Sequence, residues 1–262
     1  MSVHALLIPN VTWPELLAHA RRLEELGVTT VWVDDHLLNP AHPGRSWLGA
    51  WSVLPALAAA TSRIRLGPLV ANGVLHPPAV LARHALSVDH ISGGRLELGL
   101  GSGYAKADLA AGQATEFDTV VSTVDKALRG EPVVDGFPPL APAGRIPLTI
   151  AAHGRRALET AARYGDRWVS YGGFGLDEPT HLARTRRRIA VVDEIRPVRK
   201  MLLAGSPAVT AAPIWSSVQA ATDFTGRYRE AGIDEFTFYY PPSAMWSSPK
   251  ADEVFEDFVS RQ

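Results

Sequence analysis

Short apolar and β-branched runs alternate with longer stretches of helical spacing along the whole chain, and this alternation is the strongest constraint on its fold. Residues 3–8, 29–33, 64–70, 95–99, 147–151, 168–171, 200–204 and 235–240 read as eight strands. Helical spacing fills the gaps. Residues 13–26 place Leu16, Leu17, Ala20, Leu23 and Leu26 on one face, behind Thr12 as N-cap and ahead of Gly27 as the stop. Further helices are expected at 50–60, from Pro77-Pro78 to Gly93-Gly94, and at 115–128, 155–164, 178–192, 215–231 and 251–259. The Pro- and Gly-rich stretch 130–147 reads as a surface excursion. Buried strands joined by amphipathic helices make a parallel sheet, and eight such units in 262 residues predict an α/β fold, the (β/α)8 TIM barrel, as a single domain over 1–262. A doubly wound sheet is the alternative. It needs a glycine fingerprint in the first turn, where this chain has Ile8-Pro9-Asn10.

Composition narrows the function. With 26 Lys+Arg against 27 Asp+Glu there is no basic excess to neutralise phosphates, so nucleic acid is not an expected partner. The absence of cysteine removes disulfides, thiolate nucleophiles, iron–sulfur clusters and cysteine-ligated zinc, and fits a cytoplasmic protein. The N-terminus lacks the basic start and apolar core of a signal peptide, and no apolar run is long enough for a membrane span. There is no Gly-x-Ser-x-Gly elbow, no His-Glu-x-x-His and no phosphate-binding loop, so serine hydrolase, zinc protease and nucleoside triphosphatase readings lack support.

In a barrel the residues just after each strand carry the chemistry. Asp34-Asp35-His36 follows strand two: an acid beside a histidine can orient the ring for acid–base work, whereas the plainer reading makes Asp35 a cap and His36 a packing residue. The expected position at a strand's C-terminal end favours the functional reading. Asp34, Asp35, His36 and His42 could ligate a metal, but no second ligand cluster joins them, and no metal is expected. Gly99-Leu100-Gly101-Ser102-Gly103-Tyr104 follows strand four and lets backbone approach a flat ring or a phosphate, although such a run also marks plain tight turns. Ala151-Ala152-His153-Gly154-Arg155-Arg156 opens a helix and suits an anion, and Tyr171-Gly172-Gly173 leaves room for a ligand. Trp47, Trp51 and Tyr104 form either an apolar substrate wall or, for the two tryptophans, helix packing. The basic run 184–188 reads as a solvated helix face, with an anionic tail or acidic partner as the minority reading.

Several segments together resemble a family. Residues 31–36, Arg63-Ile64-Arg65-Leu66-Gly67-Pro68-Leu69-Val70, the run from His76-Pro77-Pro78 through Ser87-Val88-Asp89-His90-Ile91-Ser92-Gly93-Gly94-Arg95 to Gly103, residues 151–156 and 161–168, and Ala231-Gly232-Ile233-Asp234-Glu235 resemble the bacterial luciferase-like oxidoreductases over most of the chain. The resemblance implies reduced FMN or the deazaflavin coenzyme F-420 acting on a small-molecule substrate, by hydride transfer or monooxygenation. It implies that Asp35, His36, Leu69, Val70, Asn72, Gly101, Ser102, Gly103, Tyr104, Ala151, Ala152, His153, Gly154, Arg155, Gly172 and Gly173 contact the cofactor, with His36, Asp35 and Tyr104 catalytic. It also implies a non-proline cis peptide at Leu69–Val70, for which cis Gly67–Pro68 is the competitor. Deazaflavin members often carry an acid shortly after the glycine turn, where this chain has Tyr104, although Asp35-His36 looks more like that branch. A flavin-binding protein without turnover and a cofactor-free barrel enzyme are the rival readings. A homodimer is expected through the helices after strands two and three, because residues 51–60 are apolar nearly all round.

Overall fold

The computed structural model describes residues 1–40, 42, 44–113, 115–135, 141–209 and 212–262. Nine parallel strands, β1 (Ser2–Leu7), β2 (Thr30–Val33), β3 (Arg65–Pro68), β4 (Ala71–Asn72), β5 (Leu98–Gly101), β6 (Leu148–Ala151), β7 (Arg167–Ser170), β8 (Arg199–Ala204) and β9 (Glu235–Tyr240), form one sheet. Its order is β3-β2-β1-β9-β8-β7-β6-β5-β4, and a bridge between Leu66 and Leu96 draws its two ends together into a barrel. The helices are α1 (Trp13–Glu25), α2 (Ala50–Ala60), α3 (Pro78–Ser92), α4 (Lys106–Ala111), α5 (Phe117–Leu128), α6 (Arg155–Tyr164), α7 (Glu178–Ile195), α8 (Val218–Glu230), α9 (Pro242–Trp246) and α10 (Lys250–Ser260).

The expected third strand, 64–70, is two strands. β3 and β4 flank Leu69-Val70, whose peptide bond is cis, as is Tyr240–Pro241. The expected fourth strand, 95–99, begins three residues later, at Leu98. The Arg95 side chain reaches to the end of α2, where its guanidinium donates to the carbonyls of Ala58 and Thr61, and also to that of Ile64 just before β3. The helix expected over 115–128 is α5, which is preceded by the unforeseen α4. The expected helix at 215–231 is broken into a 3-10 turn, Ile214–Ser216, and α8. In the excursion over 130–147, residues 136–140 lie outside the described residues. Past them, Ala143 and Gly144 donate backbone N–H groups to Asp89.

Local chemistry starts the helices where the spacing predicts. The Thr12 backbone N–H and hydroxyl both donate to Glu15, and α1 turns Leu16, Ala20 and Leu23 inward. Asp177 caps α7 by accepting from the Thr180 N–H at 2.8 Å. Burial of such faces against the strands forms the main core between sheet and helices.

Inside the barrel, alternate residues of each strand point inward and stack in layers. At the N-terminal end stand His4, Glu97, Arg167 and Glu235, all buried. The Arg167 guanidinium pairs with Glu97 at 2.6 Å and with Glu235 at 2.5 Å. Two residues further along β1 and β7 come Leu6 and Val169, which with Trp32, Leu69 and Met201 make a separate apolar layer. Another step brings Asp34, Tyr171 and Tyr239 to the opposite end, where they line a cavity.

The ionic layer carries a pH signature. Burial pushes the Glu235 carboxyl up, but His4 and Arg167 together outweigh it and hold the group down at about 2. A depressed carboxyl pKa stabilises the fold above the unfolded value of 4.5, and that contribution is lost as pH falls from there towards about 2. Replacing Arg167 by Met removes the guanidinium that two buried carboxylates share, leaving Glu97 to Arg65 and Glu235 to Arg199 and His4, and should cost about 3–5 kcal/mol in urea unfolding near neutral pH. It should also flatten the acid limb of the stability curve. A loss below about 1 kcal/mol would show that the layer does not act as a buried ion pair.

Candidate active site

The cavity opens at the C-terminal ends of the strands and has a volume of about 270 Å³. Its floor is apolar, with Leu6, Leu69, Val70, Val169 and Leu203. Asp34, Asp35, His36, Asn72 and Ser102 line one side, and Ala151, Ala152, His153, Gly154 and Tyr171 another. Tyr104 and Phe174, both about half exposed, stand at the mouth with ring centroids 6.0 Å apart. Thirteen of the sequence-predicted positions therefore line one space: Asp35, His36, Leu69, Val70, Asn72, Gly101, Ser102, Gly103, Tyr104, Ala151, Ala152, His153 and Gly154. Arg155, Gly172 and Gly173 do not line it. Arg155 points along its own helix to Glu159 at 3.1 Å. Gly172 and Gly173 lie behind Tyr171, and Gly172 takes a positive φ with no room for a Cβ against His181.

The neighbours of His36 differ from those the sequence suggests. Asp35 does not orient it. Its Oδ2 accepts from the Asn72 backbone N–H at 3.0 Å and pairs with His76 Nε2 at 2.9 Å. The partner of His36 is Asp108, on α4, whose Oδ2 lies 2.6 Å from His36 Nδ1. Asp108 is fully buried and also accepts from the Leu37 backbone N–H at 2.9 Å and the Asn72 amide at 2.8 Å. An ionised carboxylate only accepts, so this arrangement sets Nδ1 as the protonated nitrogen and leaves Nε2 on the side of Asp34, 3.5 Å away. The missed acid does follow the glycine turn, four residues beyond Tyr104. Its signal was weak: α4 has six residues, and no side chain caps it.

Glycine is required where the strand ends press together. A Cβ on Gly101 would collide with Val70, and one on Gly103, at φ +75°, would collide with Asn72. The two tryptophans divide. Trp47 stands beside His36 with ring centroids 6.2 Å apart, while Trp51 stacks on His84 at 5.4 Å, and neither lines the cavity. Among the described residues no group of three His, Asp or Glu side chains could hold a metal ion.

Residues 2–232 match the sequence profile described as luciferase-like monooxygenase. The chain belongs to the luciferase-like monooxygenase family. It is 30% identical over 184 residues to an F420-dependent glucose-6-phosphate dehydrogenase of Amycolatopsis mediterranei, covering 62% of this chain and 55% of that one. The chain spans about half the length of the first curated relatives it matches. Its fold is that of an F420-dependent secondary alcohol dehydrogenase solved with an F420–acetone adduct (TM-score 0.77, 17% identity, 100% and 99% of the two chains covered). It is also that of the oxygenating constituent of 3,6-diketocamphane monooxygenase from Pseudomonas putida, solved with FMN (TM-score 0.69, 15% identity, 100% and 98% covered).

In this luciferase-like site the charges are arranged around desolvation. Burial pushes the Asp34 carboxyl up to about 6, with Asp35 and Asp108 adding to the rise and His36 opposing it. His153 is pushed down to about 3 by burial and by the charges of Arg188 and Arg184, so its ring is neutral near pH 7. A carboxyl whose folded pKa lies above its unfolded value favours the fold where it is protonated and penalises it where it is ionised. Asp34→Asn should therefore raise stability at about pH 8 by roughly 2–3 kcal/mol. The gain should shrink as pH falls through about 6 and vanish below 3.8. Thermal unfolding across pH tests this, and a gain independent of pH would refute the assignment to Asp34 ionisation.

Proposed function

We propose that the chain is an oxidoreductase that uses coenzyme F-420 to move a hydride to or from a small organic substrate, with His36 as proton donor or acceptor. The observation that carries this is the 2.6 Å contact between His36 Nδ1 and buried Asp108 at the cavity wall. When bound, F-420 supplies hydride chemistry, and the protein supplies position and a proton. The residues fit a flat tricyclic ring. Leu69 and Val70 give an apolar floor, the close packing that Gly101 and Gly103 allow against Val70 and Asn72 brings backbone to the cavity wall, and Asn72, Ser102 and Ala151–Gly154 border it.

His36 can perform the acid–base step because one nitrogen is committed and the other is not. With Nδ1–H given to Asp108, Nε2 takes a proton from an alcohol as it is oxidised, or returns one to a carbonyl oxygen as it is reduced. Asp108 positions the ring, and Asp34 faces Nε2 from the cavity side at 3.5 Å. Tyr104 closes over the ring of His36, with centroids 5.4 Å apart. Burial and the neighbouring carboxylates push its hydroxyl above the usual tyrosine range, so Tyr104 can donate a hydrogen bond and does not act as a base. FMN is the alternative cofactor, supported by the solved oxygenating constituent with the same fold.

Titrating the protein with F-420 and with FMN, each oxidised and reduced, and reading fluorescence decides between them. F-420 should bind and FMN should not. The reverse result, or binding of neither, overturns the reading, and tight binding with no turnover on any alcohol or ketone points to a carrier. His36→Asn should lower kcat by about 100-fold or more while F-420 affinity stays within about two-fold.

We also propose that the protein works as a homodimer. The inward face of α2, including Leu57, belongs to the chain's own core, but Ser52, Pro55, Ala56 and Ala59 lie outward with no charge among them. Against a second copy, Ala59→Glu should turn a dimer into a folded monomer in sedimentation. A wild-type monomer at micromolar concentration would remove the proposal.

A further inference from the structure

The side of the cavity that holds His36 carries acids and no fixed positive charge. Asp34 and Asp35 line it, Asp108 stands behind His36, and among the described residues no Lys or Arg lines the cavity. Arg45 and Lys106, the nearest along the chain to His36 and Asp108, are exposed outside it. Asp35 is committed to the Asn72 N–H and to His76. Asp34 is not. Its Oδ1 stands 3.5 Å from His36 Nε2, longer than a hydrogen bond. Apart from burial and the Asp35 backbone N–H, the groups that act on its carboxyl are His36, Asp35 and Asp108, two acids against one histidine. An anion brought to His36 sheds its water and meets carboxylates where its recognition needs guanidiniums or ammoniums.

The mouth is apolar instead. Tyr104 and Phe174 line the cavity yet stand 53% and 52% exposed. Leu37 and Leu109, also about half exposed, sit one residue beyond His36 and Asp108, whose contact joins their two segments. Of the nine large apolar side chains exposed among the described residues, Leu37, Leu38, Tyr104, Leu109 and Phe174 lie on the segments that follow β2, β5 and β7, at the end of the barrel where the cavity opens. Apolar groups gathered in water at one end of a domain mark the place of a ligand. The cavity volume of about 270 Å³ falls below the roughly 300 Å³ at which ligand pockets begin. With a flat ring on the floor, the body of a substrate therefore rests against Tyr104 and Phe174.

We propose that the substrate is an uncharged ketone or alcohol with an apolar body, that Tyr104 and Phe174 hold that body, and that Asp34 turns away substrates with an anionic group beside the reacting carbon. The proposal rests on the oxidoreductase reading above and names its substrate class. In oxidation the alcohol carbon loses a hydride to oxidised F-420, which is thereby reduced, and the hydroxyl loses its proton to His36 Nε2. One C–H and one O–H bond break, and the C–O bond becomes C=O. Reduction of the ketone runs the same steps backwards, and in neither direction does the substrate carry a charge for Lys or Arg to hold.

The test compares two ketones of similar size: benzyl ethyl ketone, and phenylpyruvate, in which a carboxylate takes the place of the ethyl group. Acetone serves as a ketone without the apolar body. Binding to the cofactor-free protein is read by NMR shifts, and kcat/KM is measured with reduced F-420 at about pH 8, where the Asp34 carboxyl is ionised. Benzyl ethyl ketone should exceed phenylpyruvate at least about ten-fold in both measures. Asp34→Asn should shrink that ratio at least about three-fold, and a ratio taken within one variant cancels any uniform loss of activity. Phe174→Ala should lower kcat/KM about ten-fold for benzyl ethyl ketone and less than about two-fold for acetone. Circular dichroism checks that each variant is folded. Equal or better use of phenylpyruvate by the wild-type protein, an unchanged ratio in Asp34→Asn, or equal losses for benzyl ethyl ketone and acetone in Phe174→Ala overturns the substrate class and leaves the oxidoreductase reading intact. Selective binding of benzyl ethyl ketone with no turnover by F-420 or FMN overturns that reading and leaves the ligand class standing.

Discussion

A strand sends alternate side chains to opposite sides of its sheet, and once the sheet closes into a barrel that period of two decides what stands above what. Arg167, Val169 and Tyr171 are successive inward steps of one strand and its exit, and they fall in the ionic layer, the apolar layer and the cavity. The same sequence of layers holds for His4 and Leu6, for Trp32 and Asp34, and for Glu235 and Tyr239. A shift of one residue in any strand would put charges among the helices and leucines into the ion pairs, so the register that buries the core also assembles the site.

Most of this order can be read from the sequence because it is local. Strand and helix periods, Thr12 with Glu15 and the Gly93-Gly94 stop are short-range patterns, and the structure keeps them with ends moved by a few residues. The departures come where distant parts of the chain decide the outcome. Strand β5 begins at Leu98, not Arg95, because the backbone of 95–97 turns to Leu66 of β3, whose N–H donates to the Arg95 carbonyl and whose carbonyl accepts from Glu97.

The site shows the same division. The pattern Asp34-Asp35-His36 marks the right loop, but adjacency along an extended chain sends neighbouring side chains to different sides, so Asp35 turns to Asn72 and His76 while His36 finds its acid 72 residues away. No spacing rule connects those two.

The apolar layer has a consequence for proton traffic. Leu6, Leu69, Val169 and Met201 offer no exchangeable hydrogen, and Trp32 brings only an indole N–H that no side chain receives. At the same level the buried Thr237 hydroxyl donates to Met201 Sδ, a sulfur with no proton to pass on. Since Nδ1 is given to Asp108, a proton exchanged at Nε2 of His36 passes on the cavity side, towards the mouth at Tyr104 and Phe174. Whatever occupies the mouth, substrate or product, controls both the supply of protons and their escape, which ties the pace of acid–base exchange to the coming and going of the ligand.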